Sequence, residues 1–180
     1  MTRFFAFTLS AFIAGCGGAV APDPRTFDLG LNPPSAALPA VRIGAVRAVA
    51  PFQDTEMHYR LAWRNAAEIA PFANSRWAAA PAELVRKQLL RASGEAGGKC
   101  RLDLELQEFT QVFASKEASE ARIELRALLS LPSGNFSRTL TVIEPNAGPD
   151  AAAGAAALAR AVDRAIGELS SWVSAQPACR

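Results

Sequence analysis

The chain has 180 residues, a formal net charge of +2 and a hydrophobic fraction of 50%. That length suits one domain with a real core, and that apolar fraction excludes global disorder. There is no basic tail and no Lys/Arg stripe interleaved with aromatic residues, which argues against a nucleic-acid partner.

Met1-Thr2-Arg3 is a short positive start, and Phe4 to Ala14 is an apolar run broken only by Thr8 and Ser10. The run is too short to cross a bilayer well and ends in small residues, so it reads as a secretory signal. Ile13-Ala14-Gly15-Cys16 resembles the lipobox of bacterial lipoproteins. The resemblance implies removal of a signal peptide, residues 1–15, and lipidation of Cys16. Two or more acyl chains hold a protein stably where one holds it marginally. The alternative is an ordinary signal peptide cut nearby, with Cys16 incidental. Gly17 rather than an aspartate follows the cysteine, a pattern that in enteric bacteria resembles lipoproteins sent to the outer membrane. Residues 16–24 then form a lipidated N-terminus and a small, proline-containing tether.

The folded domain is expected over 25–176. Arg25 to Leu31 predicts a first strand, and Asn32 to Pro39, with Pro33, Pro34 and Pro39, a loop. Val41 to Val49 predicts a strand with a bend, because Val46 and Val49 break the phase of Val41, Ile43 and Ala45. Met57 to Trp63 predicts a strand with Tyr59, Leu61 and Trp63 on one face and an exposed His58 and Arg60 on the other. Glu68 to Phe72 predicts a brief extended piece. Pro81 suits a first helical position, Glu83 the first turn, and Leu84, Val85 and Leu89 a buried stripe. Gly94, Gly97 and Gly98 end that helix.

Leu102, Leu104 and Leu106 alternate with Arg101, Asp103, Glu105 and Gln107, the clearest strand signal in the chain. The apolar phase then moves to Phe109 and Phe113, which predicts a bulge near Gln107 or Glu108. Ala121 to Leu129 and Phe136 to Val142 predict two more strands in an antiparallel meander. Asp150 suits a cap for a helix over Ala151 to Val173 with Leu158, Val162, Ile166, Leu169 and Val173 on one stripe. The expectation is one α+β domain, an antiparallel sheet with two helices on one face.

No catalytic signature is present: no Gly-x-Ser-x-Gly, phosphate loop, dinucleotide fingerprint or His-Glu-x-x-His. His58 is the only histidine, and with no close cysteine pair no metal or other cofactor is expected. Asp103 and Glu105 could pair as carboxylates, but a solvated sheet face explains them more simply. Cys100 and Cys179 form an even pair in an exported chain, open to two readings: a disulfide from the C-terminal end to a central strand, or two free thiols. Tyr59, Arg76 and Trp77 are residue types enriched in binding hot spots, so they form a candidate partner-binding cluster. The competing reading makes Tyr59 and Trp77 core.

The runs Met57-His58-Tyr59-Arg60-Leu61, Asn74-Ser75-Arg76-Trp77-Ala78 and Pro81-Ala82-Glu83-Leu84 resemble the ABC-type transport auxiliary lipoproteins. That family shows a strand tyrosine, an arginine-tryptophan pair and a proline-opened helix. It also begins its domain with tyrosine-x-leucine, matched here by Phe27-Asp28-Leu29 with phenylalanine substituted. The resemblance implies a non-catalytic partner of MCE-type lipid transport systems, including the paraquat-inducible ones. It implies an anchor at the periplasmic face of the outer membrane, docking to a periplasmic MCE-domain protein, a phospholipid or hydrophobic cargo, and self-association in some relatives. The alternatives are a lipoprotein assisting outer-membrane assembly, of lipopolysaccharide or protein, and an envelope enzyme.

Overall fold

The computed structural model describes residues 23–94, 98–145 and 148–179. The signal peptide, Cys16 and most of the tether lie outside the described residues. The elements run β1 (Arg25–Phe27), β2 (Val41–Ala48), β3 (Glu56–Leu61), α1 (Ala62–Asn65), β4 (Ala70–Trp77), α2 (Pro81–Ala92), β5 (Cys100–Phe113), β6 (Ser119–Leu131), β7 (Gly134–Pro145) and α3 (Ala151–Ser174), closed by a 3-10 turn, Pro177–Cys179. This is a single α+β domain with one sheet and two substantial helices packed against it.

The sheet is mixed, which corrects the expectation of an antiparallel one. The meander β5-β6-β7 is antiparallel as expected. However, β1 runs parallel to β4, and both β2 and β3 run parallel to β5. The cause is that β2 and β3 lie end to end along one edge of β5. Val41 to Ala48 pairs with Cys100 to Leu106, and His58 to Leu61 continues along Thr110 to Phe113. The chain keeps its direction through the turn between them, and the later passage through β4 and α2 supplies the crossover that parallel pairing requires. Residue alternation defines strands but not their partners, so this arrangement had no signature in the sequence.

The two expected irregularities are present: register shifts fall between Ile43 and Val46 in β2 and between Leu106 and Glu108 in β5. The first strand is shorter than expected, ending at Phe27. Trp63 leaves the strand phase because α1 begins at Ala62. The segment read as a brief extended piece is a full strand, Ala70–Trp77, despite Pro71.

Both helices cover one face. In α2, Pro81 occupies the first turn and Leu84, Val85, Gln88, Leu89 and Ala92 are buried. In α3, the Asp150 side chain accepts from the Ala153 amide at 2.8 Å, and the whole stripe Leu158, Val162, Ile166, Leu169 and Val173 is buried. These meet Leu102, Leu104, Leu106 and Phe109 of β5, the alternate residues Ala121 to Leu129 of β6, and Leu140 and Val142 of β7. Gly154 faces the Gln111 side chain where α3 meets β5, and a Cβ there would have to displace the Gln111 amide. Cys100 and Cys179 are joined by a disulfide with Cα atoms 5.4 Å apart, so the folded unit reaches Cys179 rather than stopping near 176. The bridge ties residues 79 apart in sequence.

Candidate functional site

The structure separates the three residues of the candidate binding cluster. Trp77 ends β4 and is 1% exposed, its ring 5.4 Å from Phe109 in an edge-on contact. Its amide donates to the Thr55 carbonyl at 2.7 Å. Trp77 is therefore core, and a partner cannot reach it without unfolding the site; this corrects its assignment to a docking surface. Tyr59 is half-buried, packed 4.7 Å from Phe72 and 6.0 Å from Phe113. Arg76 is exposed and sits in register between Thr26 of β1 and Glu56 of β3. Tyr59 lies opposite Ala70, further along the β3–β4 ladder. Only Arg76 and part of Tyr59 are available at the surface.

His58 is buried, not exposed as its strand phase suggested. The turn after β2 brings Phe52 edge-on to its ring, with centroids 5.6 Å apart. Its Nε2 is 3.5 Å from Glu56 Oε2, and its Nδ1 has no hydrogen-bond partner among the described residues. Thr110, its register neighbour on β5, donates its hydroxyl to Glu108 at 2.6 Å. Among the described residues no group of three metal-ligating side chains converges.

The sheet face away from the helices is a polar lattice. Arg60 donates to both Glu108 oxygens, at 2.8 and 3.0 Å. Burial pushes the Glu108 carboxyl up, but the hydrogen bonds from Arg60 and Thr110 and the positive fields of Arg60 and Arg122 outweigh it and hold it below its ordinary value. Asp103 accepts from Arg101 and from the Ala45 amide. The Arg101 hydrogen bond is the main cause of its lowered pKa, with the Ala45 amide and the fields of Arg101 and Arg47 adding to it against desolvation. Asp103 is thus engaged in holding the β2 bulge, and Glu105 accepts from Gln107. The two carboxylates thus take different partners and are not paired with one another.

Sequence reasoning missed a cleft on the helical side. Residues 28–38 cross the helices as a strap, fixed by several bonds. Asp163 accepts from the Ser35 amide and hydroxyl at 2.7 and 2.6 Å, Ser170 donates to the Ala37 carbonyl at 2.6 Å, and the Leu38 amide donates to the Ala92 carbonyl at 2.9 Å. Between strap, α2 and α3 lies a cleft of about 220 Å³. Leu29, Pro33, Pro34, Val162 and Ile166 form apolar walls, and Gln88 of α2 also lines it. The only signal in the sequence was a glutamine falling within the apolar stripe of α2.

No family model matches the chain, and no curated protein matches it. Solved structures do. Protein XCC0632 from Xanthomonas campestris, described under the family DUF330, is 23% identical with a TM-score of 0.65, over 84% of this chain and 92% of that one. A second, described as an uncharacterized protein, is 10% identical with a TM-score of 0.68, over 84% of this chain and 99% of that one. At these identities the likeness is one of fold: the chain shares its architecture with two proteins over nearly their whole lengths.

Proposed function

We propose that this chain is a non-catalytic lipoprotein of an MCE/ABC-type intermembrane lipid transport system, docking or assembling the periplasmic component at the outer membrane. The observation that carries the reading is the lipobox-like Ile13-Ala14-Gly15-Cys16 behind a short apolar run. Such an anchor fixes a binding domain at one surface, so position becomes part of function. The disulfide accords with an oxidising, exported location. The order of Tyr59, the Arg76-Trp77 pair and Pro81 supports the particular system. Of these, Trp77 is a packing residue, and Arg76 and Tyr59 are what the docking face retains.

The test is affinity purification from solubilised envelopes after mild crosslinking. The reading expects an MCE-domain protein among the partners, with recovery reduced by Arg76→Ala and Tyr59→Ala while the fold is kept. Recovery of an outer-membrane β-barrel assembly protein instead would overturn it in favour of outer-membrane assembly.

A further inference from the structure

We infer that Trp63 is the membrane contact of the folded domain: its indole sits at the headgroup level of the bilayer that holds Cys16, with the Phe113 end of β5 toward the lipid and the disulfide end away from it. The inference rests on the lipid anchor proposed above and adds the surface that faces the membrane.

Trp63 is 45% exposed, whereas Trp77 is 1% exposed and Trp172 is half-buried against the core. The four residues of α1 place it there. They turn the chain just past the last β3 pair, Leu61 with Phe113, and carry Trp63 out of the strand at that end of the sheet. The Arg64 guanidinium lies 5.9 Å from the Trp63 ring centroid. An apolar ring with a polar N–H suits the boundary between headgroups and acyl chains, and a neighbouring cation suits the phosphate oxygens above it. Around α1 and the β5–β6 turn, exposed Arg64 and Lys116 are balanced by exposed Glu68 and Glu117. The contact therefore depends on the ring rather than on an excess of positive charge.

The path of the chain brings this end to the bilayer. Thr26 pairs with Arg76, and Arg76 with Glu56, two positions before His58, the partner of Thr110. β1 therefore lies level with Glu108, about 17 Å from the Phe113 end of β5 and about 26 Å from its Cys100 end at the usual strand rise. β1 is parallel to β4 and β4 is antiparallel to β3, so β1 runs away from the Phe113 end and the chain enters it from that side. Residues 17–24 separate Cys16 from Arg25. A segment of that length reaches at most about 31 Å, and a flexible chain of the same length averages roughly 17 Å. Relaxed, it spans the distance to the Phe113 end. Standing the domain on its Cys100 end would require the tether to double back and stretch nearly to its limit.

The test is fluorine NMR on the full acylated protein, purified from envelopes and labelled with 5-fluorotryptophan. The protein is held in nanodiscs of phosphatidylethanolamine and phosphatidylglycerol, with and without a gadolinium-chelate headgroup lipid. Trp63→Phe assigns the Trp63 resonance, and Trp172, near the far end of α3, is the internal reference. The expected result is loss of the Trp63 resonance to the paramagnetic lipid while that of Trp172 persists, with no change on raising sodium chloride to about 0.5 M. Loss of the Trp172 resonance instead, or equal broadening of both, overturns the contact. Broadening that disappears in salt assigns the surface to basic side chains and overturns it as well. Mass spectrometry of the same sample separates the two levels of failure. A chain without acyl groups on Cys16 overturns the anchor and this inference with it, whereas an acylated chain whose Trp63 resonance persists overturns this inference alone.

Discussion

The two faces of the sheet obey different rules. On the helix side, burial follows periodicity: Leu102, Leu104 and Leu106 alternate inward and meet the stripes of α2 and α3. On the far side, the same strands carry Arg101, Asp103, Glu105, Glu108 and Arg126, and order comes from charge pairing. Apolar contact is non-directional and sums over area, whereas ion pairs act locally and lose much of their value where water reaches them. The helix face should therefore set global stability. The charged face should set register, local rigidity and response to pH.

Four substitutions sharpen this contrast, from the largest effect to the smallest. Cys179→Ala opens the bridge to Cys100 and should cost about 2 to 5 kcal/mol, with oxidised wild type losing a similar amount on reduction; denaturant unfolding measures both. Leu106→Ala empties a site with 0% exposure beneath the helices and should cost about 3 kcal/mol. Glu108→Gln breaks the Arg60 pair, whose side chains are 22% and 14% exposed, and should cost about 2 kcal/mol near pH 7. Because the folded carboxyl titrates below the ordinary 4.5, the pair contributes fully above that value and loses its contribution as pH falls toward the lower folded pKa. The gap between wild type and variant should accordingly close in acid, as unfolding curves from pH 7 to 3 would show. Arg126→Ala, exposed on the charged face, should change stability by less than about 0.5 kcal/mol. A loss there as large as that of Leu106→Ala would refute the division between the faces.

The helix side was legible in the sequence for the same reason that it dominates stability. The α3 stripe and its Asp150 cap, the Pro81 start of α2, and the β5 alternation with its bulge are local patterns with fixed periods. The pairing of the two cysteines was visible as one of two outcomes. What could not be read depends on elements far apart in the chain. The shared edge of β5 sets β2 and β3 parallel to it, the Phe52 turn buries His58, and β4 carries Trp77 inward. Gln88 becomes a buried acceptor only once residues 28–38 cross α2 and α3. Tyr59, Arg76 and Trp77 looked like a cluster because they are hot-spot residue types, and type alone does not distinguish a hot spot from a core aromatic.

The proposed lipid anchor at Cys16 is tested most directly by metabolic labelling with a fatty-acid analogue, followed by membrane fractionation. Wild type should carry the label and sediment with outer membranes, and Cys16→Ser should lose the label and the membrane association together. Persistent labelling of Cys16→Ser, or wild type that is unlabelled and free in the periplasm, would contradict a lipid-anchored docking protein.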